Sequence, residues 1–279
     1  MIQRIDQRLL RDLAAHTRRL GVKRAFQSMG YERSGELPLI ASRLEPLFDS
    51  KLRYLDIGSG DAVLPSYILR RSAWDVTCVD KFSWVQKQHE LARRAMPEGG
   101  YEQRFHVLEA DFLATSLPEA SFDVITNISV IEHFEGGEDS VAMEKSARLL
   151  RPGGLYILTT LMNEGHFKEF FVQNSVYGKR YQSKPVFFQR HYDVASLAAR
   201  VLRPSGLAEK ERLYFGDYGF QFCERFMVVP WPWKPLKLFY QWATPAFAAR
   251  FISYRDYPVS RSDMHMYTAS GVFVVLQRA

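Results

Sequence analysis

The feature that most constrains the fold is a short apolar run, residues 54–57, that stops at two glycines, Gly58 and Gly60. Glycine permits a tight turn and a close approach of the backbone to a ligand. A helix-like segment, residues 62–71, follows the turn. A strand, a glycine turn and a helix are the opening unit of a nucleotide-binding α/β sheet, so the sequence predicts such a sheet here.

An acidic residue, Asp80, ends the next apolar run and lies 20 residues beyond Gly60. Folds of this kind bind ribose hydroxyls at that position. The dinucleotide fingerprint has a third Gly or Ala three residues after the second glycine, whereas this chain has Val63. Asp56 lies inside the strand, two residues before Gly58. The pattern therefore departs from a dinucleotide site and adds a carboxylate.

The run Asp56-Ile57-Gly58-Ser59-Gly60 resembles the first motif of class I S-adenosylmethionine-dependent methyltransferases. That cofactor has no pyrophosphate to place on a helix N-terminus, but it has a cationic amino group that a carboxylate suits. Residues 105–112, 121–134 and 148–160 resemble the later motifs of the family in the expected order. The match covers residues 53–160, so we expect S-adenosylmethionine as cofactor and S-adenosylhomocysteine as product.

The resemblance implies an α/β fold, a Rossmann-like doubly wound seven-stranded sheet with an antiparallel last strand. We expect three parts. They are an N-terminal helical cap (1–50), a methyltransferase core (51–215 and 269–279) with an acceptor insert (161–190), and an aromatic-rich insertion (216–268) before the last strand.

Local patterns predict elements outside the core. Residues 2–28 show helical spacing of apolar side chains, residues 31–38 suggest a connection, and residues 236–250 suggest a helix broken near Pro245. Trp231 and Trp233 favour a role of the insertion in the acceptor pocket or in a homodimer surface. Peripheral membrane contact is the less favoured alternative.

The composition indicates which other classes of protein this chain does not resemble. Hydrophobic residues make up 47% of the chain, enough for a full core. Two cysteines, Cys78 and Cys223, do not make a disulfide framework, which favours the reducing cytoplasm. The first residues lack the apolar run of a signal peptide, and no stretch of about 18 uncharged apolar residues predicts a membrane span. No cluster of Cys or His suggests a metal.

The resemblance also implies the cofactor-binding residues. Asp56 would face the amino acid end of the cofactor, Asp80 the ribose hydroxyls and Asp111 the adenine amino group. Lys81 replaces the apolar residue frequent after the ribose-binding acid, which makes Phe82 a candidate to cover the adenine. The full set is Asp56, Gly58, Ser59, Gly60, Asp80, Lys81, Asp111, Phe112, Asn127, Ile128 and Ser129.

Three residues are candidates for catalysis. His133 follows the fourth strand of the core and could take a hydroxyl proton, since imidazole titrates near neutral pH. A merely structural histidine at this position is the alternative. His191 and Tyr192, after the acceptor insert, are the second candidates.

The acceptor is best predicted as a small-molecule, glycan or lipid-linked compound that is methylated on oxygen. The run Asn127-Ile128-Ser129-Val130 lacks the Pro-Pro-aromatic ending of enzymes that methylate amino groups of DNA or RNA, and neither cysteine is placed for cytosine chemistry. DNA is therefore not expected as a partner. Basic residues at 179–190 suit an anionic acceptor. Two alternatives stay open, an RNA methyltransferase and an inactive binding protein on the same fold.

Overall fold

The computed structural model describes residues 2–173, 184–219, 222, 234–260 and 269–279, with the backbone alone for residues 234–240. In chain order the strands are β1 (Gln3–Arg4), β2 (Arg53–Ile57), β3 (Asp75–Asp80), β4 (Phe105–Glu109), β5 (Phe122–Ile128), β6 (Leu150–Leu161), β7 (Lys168–Val172), β8 (Val186–His191), β9 (Ala208–Asp217), β10 (Ile252–Arg255) and β11 (Ser270–Gln277). The helices are α1 (Gln7–Arg19), α2 (Val22–Gln27), α3 (Tyr31–Leu44), α4 (Leu64–Arg71), α5 (Lys87–Ala95), α6 (Glu138–Leu149), α7 (Val194–Leu197), α8 (Arg203–Ser205) and α9 (Lys234–Phe251).

The central sheet has the strand order β1-β10-β9-β11-β6-β5-β2-β3-β4. Strands β4, β3, β2, β5 and β6 pair in parallel, and β11 lies antiparallel between β6 and β9. The predicted doubly wound α/β sheet with an antiparallel last strand is confirmed. The predicted count of seven strands is wrong for the described residues, because β10 pairs with β9 and β1 pairs with β10.

The central strands are buried on both faces. Tyr54 of β2 packs in one hydrophobic cluster with Ile40 of α3, whereas Leu55 and Ile57 pack in a second cluster with Met143 of α6. Successive side chains of a strand point to opposite faces, and helices cover both faces of a doubly wound sheet. This is why β2 reads as an uninterrupted apolar run in the sequence.

The N-terminal segment differs from the predicted helix over residues 2–28. Asp6 caps α1 by accepting hydrogen bonds from the N–H groups of Arg8 and Leu9 at 2.8 and 3.1 Å. Gly21, at φ +137°, then separates α1 from α2. The predicted connection over residues 31–38 is also wrong, because α3 begins at Tyr31 and continues through Pro38.

The two inserted segments are described in part. Strands β7 and β8 pair antiparallel and leave residues 174–183 between them outside the described residues. Helix α9 continues through Pro245 rather than breaking there. Trp231 and Trp233 lie outside the described residues, and Trp242 is 57% exposed. Among the described residues, each helix is too short or too polar to cross a bilayer.

Candidate active site

A cavity of about 670 Å³ opens at the carboxyl ends of β2, β3 and β5. Ligand sites of open α/β sheets form at these strand ends, and pockets for drug-sized ligands have about this volume. Ten predicted cofactor residues line it, namely Asp56, Gly58, Ser59, Gly60, Asp80, Lys81, Asp111, Phe112, Ile128 and Ser129. His133 lines the same cavity.

The turn after β2 requires glycine at position 58. Gly58 has φ +71°, and a Cβ atom there would lie 2.4 Å from Cγ2 of Val130. The N–H groups of Gly58 and Ser59 donate to the carbonyl of Val79 at 2.8 and 3.1 Å. The turn is therefore fixed against β3 and packs directly on Val130, which leaves bare backbone beside the cavity.

Asp80 joins the glycine turn to the segment after β3. Its Oδ2 accepts a hydrogen bond from the N–H of Gly60 at 3.0 Å, and its Oδ1 accepts one from the N–H of Phe82 at 2.9 Å. An ionised carboxylate has about four acceptor sites, so these two bonds leave capacity for a ligand. The arrangement can therefore hold a pair of hydroxyl groups in the cavity.

Asp56 is nearly fully buried, with 2% exposed, but lines the cavity. Its Oδ1 accepts hydrogen bonds from Thr126 Oγ1 at 2.6 Å and from the Tyr54 hydroxyl at 3.3 Å. Burial raises the pKa of the Asp56 carboxyl to about 6, and the hydrogen bond from Thr126 opposes that rise. A cationic group bound beside Asp56 would favour its ionised form.

Aromatic and polar residues form another part of the cavity wall. Phe82 and Trp84 both line it, with their ring centroids 4.5 Å apart. Oδ1 of Asp111 accepts a hydrogen bond from the N–H of Leu113 at 2.9 Å. This part of the cavity wall can hold a flat heterocycle against the rings of Phe82 and Trp84. Trp84 was not among the residues predicted from the sequence.

His133 reaches the cavity from the segment that follows β5. Its Nδ1 lies 2.7 Å from the carbonyl oxygen of Phe188. A carbonyl oxygen only accepts, so Nδ1 carries the hydrogen and the basic lone pair lies on Nε2. Burial lowers the pKa of His133 to about 4, with the charges of Arg33 and Lys81 adding to the effect. The imidazole is therefore neutral at physiological pH.

Three predicted site residues do not line the cavity. Asn127 is fully buried, and its Oδ1 accepts a hydrogen bond from the N–H of Ile131 at 2.9 Å. His191 and Tyr192 are also fully buried, and the Tyr192 hydroxyl donates to Asp139 at 2.9 Å. The cavity is thus lined by ten of the eleven predicted cofactor residues and by His133, but not by Asn127, His191 or Tyr192, which the sequence also predicted at the site.

The N-terminal segment supplies cavity residues that the sequence did not reveal. They are Thr17, Arg24, Ser28, Met29, Gly30, Arg33 and Leu37. Nη2 of Arg24 donates to the carbonyl of Asp61 at 2.5 Å and lies 3.2 Å from its carboxylate, beside the glycine turn. The only sequence signal was the excess of basic residues before position 35, which does not show where each side chain points.

The buried acidic residues Glu36 and Glu132 also escaped sequence reasoning. Glu36 is 1% exposed, forms an ion pair with Arg33 and accepts a hydrogen bond from Ser129 Oγ at 2.6 Å. Glu132 accepts a hydrogen bond from Thr160 Oγ1 at 2.9 Å, and burial raises its pKa to about 8. Both carboxyl groups lie next to residues of the cavity wall.

Residues 55–158 match a family model described as a methyltransferase domain. The ubiquinone biosynthesis O-methyltransferase of Xanthomonas axonopodis pv. citri (strain 306) is 31% identical over 125 residues, which are 45% of this chain and 48% of that protein. The mouse (Mus musculus) tRNA (carboxymethyluridine(34)-5-O)-methyltransferase ALKBH8 is 39% identical over 82 residues, 28% of this chain and 12% of that protein. The chain thus spans about half the length of the ubiquinone enzyme that it matches.

Among solved structures, a similar one is the 1,6-didemethyltoxoflavin-N1-methyltransferase of Burkholderia thailandensis with bound 1,6-didemethyltoxoflavin and S-adenosylhomocysteine. The TM-score is 0.53 at 13% identity, over 89% of this chain and 79% of that chain. At this identity the likeness concerns the fold alone.

Proposed function

Since residues 55–158 form a class I S-adenosylmethionine-dependent methyltransferase domain, we propose that the protein methylates a hydroxyl oxygen of a small-molecule, glycan or lipid-linked acceptor. The observation that carries this proposal is a neutral histidine, His133, in the same cavity as Asp80 and the glycine turn. Cofactor-binding groups and a base for the acceptor thus share one space.

The cavity residues fit the parts of S-adenosylmethionine. Asp80 would accept hydrogen bonds from the ribose hydroxyls, and the rings of Phe82 and Trp84 would lie against the adenine. Asp56 would face the amino group. Arg33 lines the same cavity, and Glu36 links it to Ser129 at the end of β5, the neighbour of the strand that carries Asp56. The guanidinium of Arg33 would pair with the carboxylate of the cofactor.

The bound cofactor supplies an activated methyl group on a sulfonium centre. The chain's own residues position the acceptor and remove its proton. The carbonyl of Phe188 accepts the Nδ1–H of His133, so the lone pair is on Nε2, the nitrogen that would take the hydroxyl proton during attack. Met29, Leu37 and Phe134 contribute apolar wall and exclude water from this part of the cavity.

The acceptor would bind on the side of the cavity near His133. We retain an anionic acceptor, but Arg190 does not support it, since it is fully buried and donates to Asp139 at 2.6 Å. Cytoplasmic location, a homodimer and a role of residues 216–268 in acceptor choice also remain proposals. Membrane contact through the insertion stays the less favoured alternative.

An RNA acceptor is the alternative with a specific observation behind it. The mouse protein that is 39% identical over 82 residues is named as a tRNA methyltransferase. Arg18, Arg19 and Lys23 are exposed near α2, where they could contact phosphates. An RNA acceptor would require binding that weakens steeply with salt.

A labelled-methyl transfer assay tests the proposal. The purified protein is incubated with methyl-labelled S-adenosylmethionine and with either the small-molecule extract or the RNA of the source organism, with Asp80→Ala as the matched control. We expect label in the small-molecule fraction and mass spectra that place the methyl group on oxygen. Label that ribonuclease releases would support the RNA alternative. S-adenosylhomocysteine binding without transfer to either fraction would support the inactive binding protein.

A further inference from the structure

Glu36 connects helix α3 to the end of strand β5. It is 1% exposed, and its two carboxylate oxygens serve different partners. Oε2 pairs with Arg33, one turn earlier on α3, and Oε1 accepts the hydroxyl hydrogen of Ser129 at 2.6 Å. A carboxylate taken out of water is costly unless such charge-assisted bonds compensate it, so the two bonds stabilise Glu36 and fix its partners.

Both partners of Glu36 line the cavity. The side chain of Arg33 is 39% exposed, and in the described part of the chain its other guanidinium N–H groups make no hydrogen bond. Ser129 has φ +50°, a left-handed conformation that is uncommon for residues other than glycine. The bond to Glu36 therefore holds a strained backbone as well as a long, flexible side chain.

The position of Arg33 identifies the end of the cavity that Glu36 controls. Glu36 links the guanidinium of Arg33 to Ser129, which directly follows β5. Thr126 and Asn127 of β5 pair with Asp56 and Ile57 of β2. Asp56 precedes the glycine turn, and Arg33, Ser129 and Asp56 all line the cavity where β2 and β5 end. Arg33 is thus at the end that would receive the amino acid part of the cofactor.

We propose that Glu36 is a positioning residue that orients Arg33 and Ser129 toward the carboxylate end of S-adenosylmethionine. This inference rests on the proposed function. A guanidinium has five N–H donors in a planar fork, so Arg33 can pair with Glu36 on one edge and with a ligand carboxylate on the other. Fixing it before binding reduces the entropy lost when the ligand binds.

Two ligands separate positioning from a merely structural role. S-adenosylhomocysteine carries the amino acid group, whereas 5′-methylthioadenosine keeps the nucleoside and the thioether but lacks that group. Calorimetry should show that Glu36→Gln raises the dissociation constant of S-adenosylhomocysteine by about tenfold or more and changes that of 5′-methylthioadenosine by less than about twofold. Arg33→Gln should show the same selectivity, and the double variant should be no weaker than Arg33→Gln alone.

Asp49→Asn is the control, since Asp49 is exposed just after α3, lies outside the cavity lining and has no hydrogen bond or ion pair with Arg33 in the described residues. It should leave both affinities nearly unchanged. Tighter S-adenosylhomocysteine binding by Glu36→Gln would show that Glu36 competes with the ligand for Arg33, and would overturn the inference. Equal weakening of both ligands would also overturn it.

If Glu36→Gln does not fold, Ser129→Ala and Arg33→Gln test the positioning role instead. If both variants leave the ratio of the affinities for S-adenosylhomocysteine and 5′-methylthioadenosine unchanged, the inference is rejected. Failure of the wild-type protein to bind either ligand would instead reject the proposed cofactor site.

Discussion

At the scale of single residues, burial gives the same side chain different chemistry. Asp56 is nearly fully buried and its pKa is raised to about 6, whereas Asp80 accepts two backbone hydrogen bonds at the cavity wall. Asp80 therefore suits hydroxyl groups, and Asp56 suits a neighbouring cation. The two carboxylates line one cavity but differ in burial and in hydrogen-bond partners.

Replacing Asp80 by Ala should weaken S-adenosylhomocysteine binding by about 2–4 kcal/mol, because two charge-assisted bonds to the ribose are lost. Asp80→Asn keeps one oxygen acceptor and should weaken S-adenosylhomocysteine binding by less than Asp80→Ala does. Asp49→Ala, an exposed acid outside the cavity lining, is the control. Calorimetry measures all three, and an unchanged dissociation constant for Asp80→Ala would place the ribose elsewhere.

His133→Ala should lower kcat by about 10²-fold while cofactor affinity stays nearly unchanged, since the residue acts only on the acceptor proton. The folded pKa of about 4 is below the ordinary 6.5, so the neutral base is already present at pH 5.5 and is lost only as pH falls through about 4. The rate of the wild type should therefore show no acid limb near pH 6.5 from this group.

A pH–rate profile and the exposed His89→Ala as control test this prediction. Normal turnover of His133→Ala would show that no base is needed at this position.

At the scale of elements, one buried carboxylate joins the acceptor insert to the core. Asp139 of α6 is fully buried and accepts hydrogen bonds from Arg190 at 2.6 Å, from Tyr192 at 2.9 Å and from Arg200 at 2.8 and 2.9 Å. Arg190 lies on β8 and Arg200 follows α7. The network thus fixes β8, which supplies the Phe188 carbonyl that holds His133.

Asp139→Ala should lower the free energy of unfolding by about 3 kcal/mol, because it leaves the buried charge of Arg190 with the carboxylate of Glu169, 3.3 Å away, as its remaining ion-pair partner. Denaturant unfolding measures this, with the exposed Glu144→Ala on the same helix as control. We expect kcat of any folded Asp139→Ala to fall as well, since the support of His133 is loosened. A loss of stability equal to that of Glu144→Ala would contradict the proposed role of the network.

At the scale of the whole molecule, the cavity is assembled from distant parts of the chain. The strand ends of the core supply Gly58, Asp80 and Ser129, and the N-terminal segment supplies Arg24 and Arg33. A ligand that contacts both the core and the N-terminal segment should stabilise the two parts together in the folded state.

Thermal unfolding tests this linkage. S-adenosylhomocysteine at 100 times its dissociation constant should raise the free energy of unfolding by about 2.7 kcal/mol. NAD at the same concentration should leave the transition unchanged, because Val63 replaces the small residue of the dinucleotide motif. A larger shift with NAD than with S-adenosylhomocysteine would contradict the assignment of the cofactor.

The sequence by itself determined the core of the sheet and most of the residues at its strand ends that line the cavity. Apolar runs, the turn at Gly58 and the acids that end or follow strands are local signals, and parallel strands bring such ends together at one edge. The helix limits near Gly21 and Pro38 were less predictable, because a single glycine or proline only biases a boundary.

Only the tertiary structure decided which other residues reach the site. The bond between Glu36 and Ser129 spans 93 positions, and the bond between His133 and Phe188 spans 55. The edge pairing of β1 with β10 joins residues about 250 positions apart. Such contacts depend on how packed elements orient their side chains, which no local period or turn residue encodes. For the same reason His191 and Tyr192 resembled site residues in the sequence and are core residues in the fold.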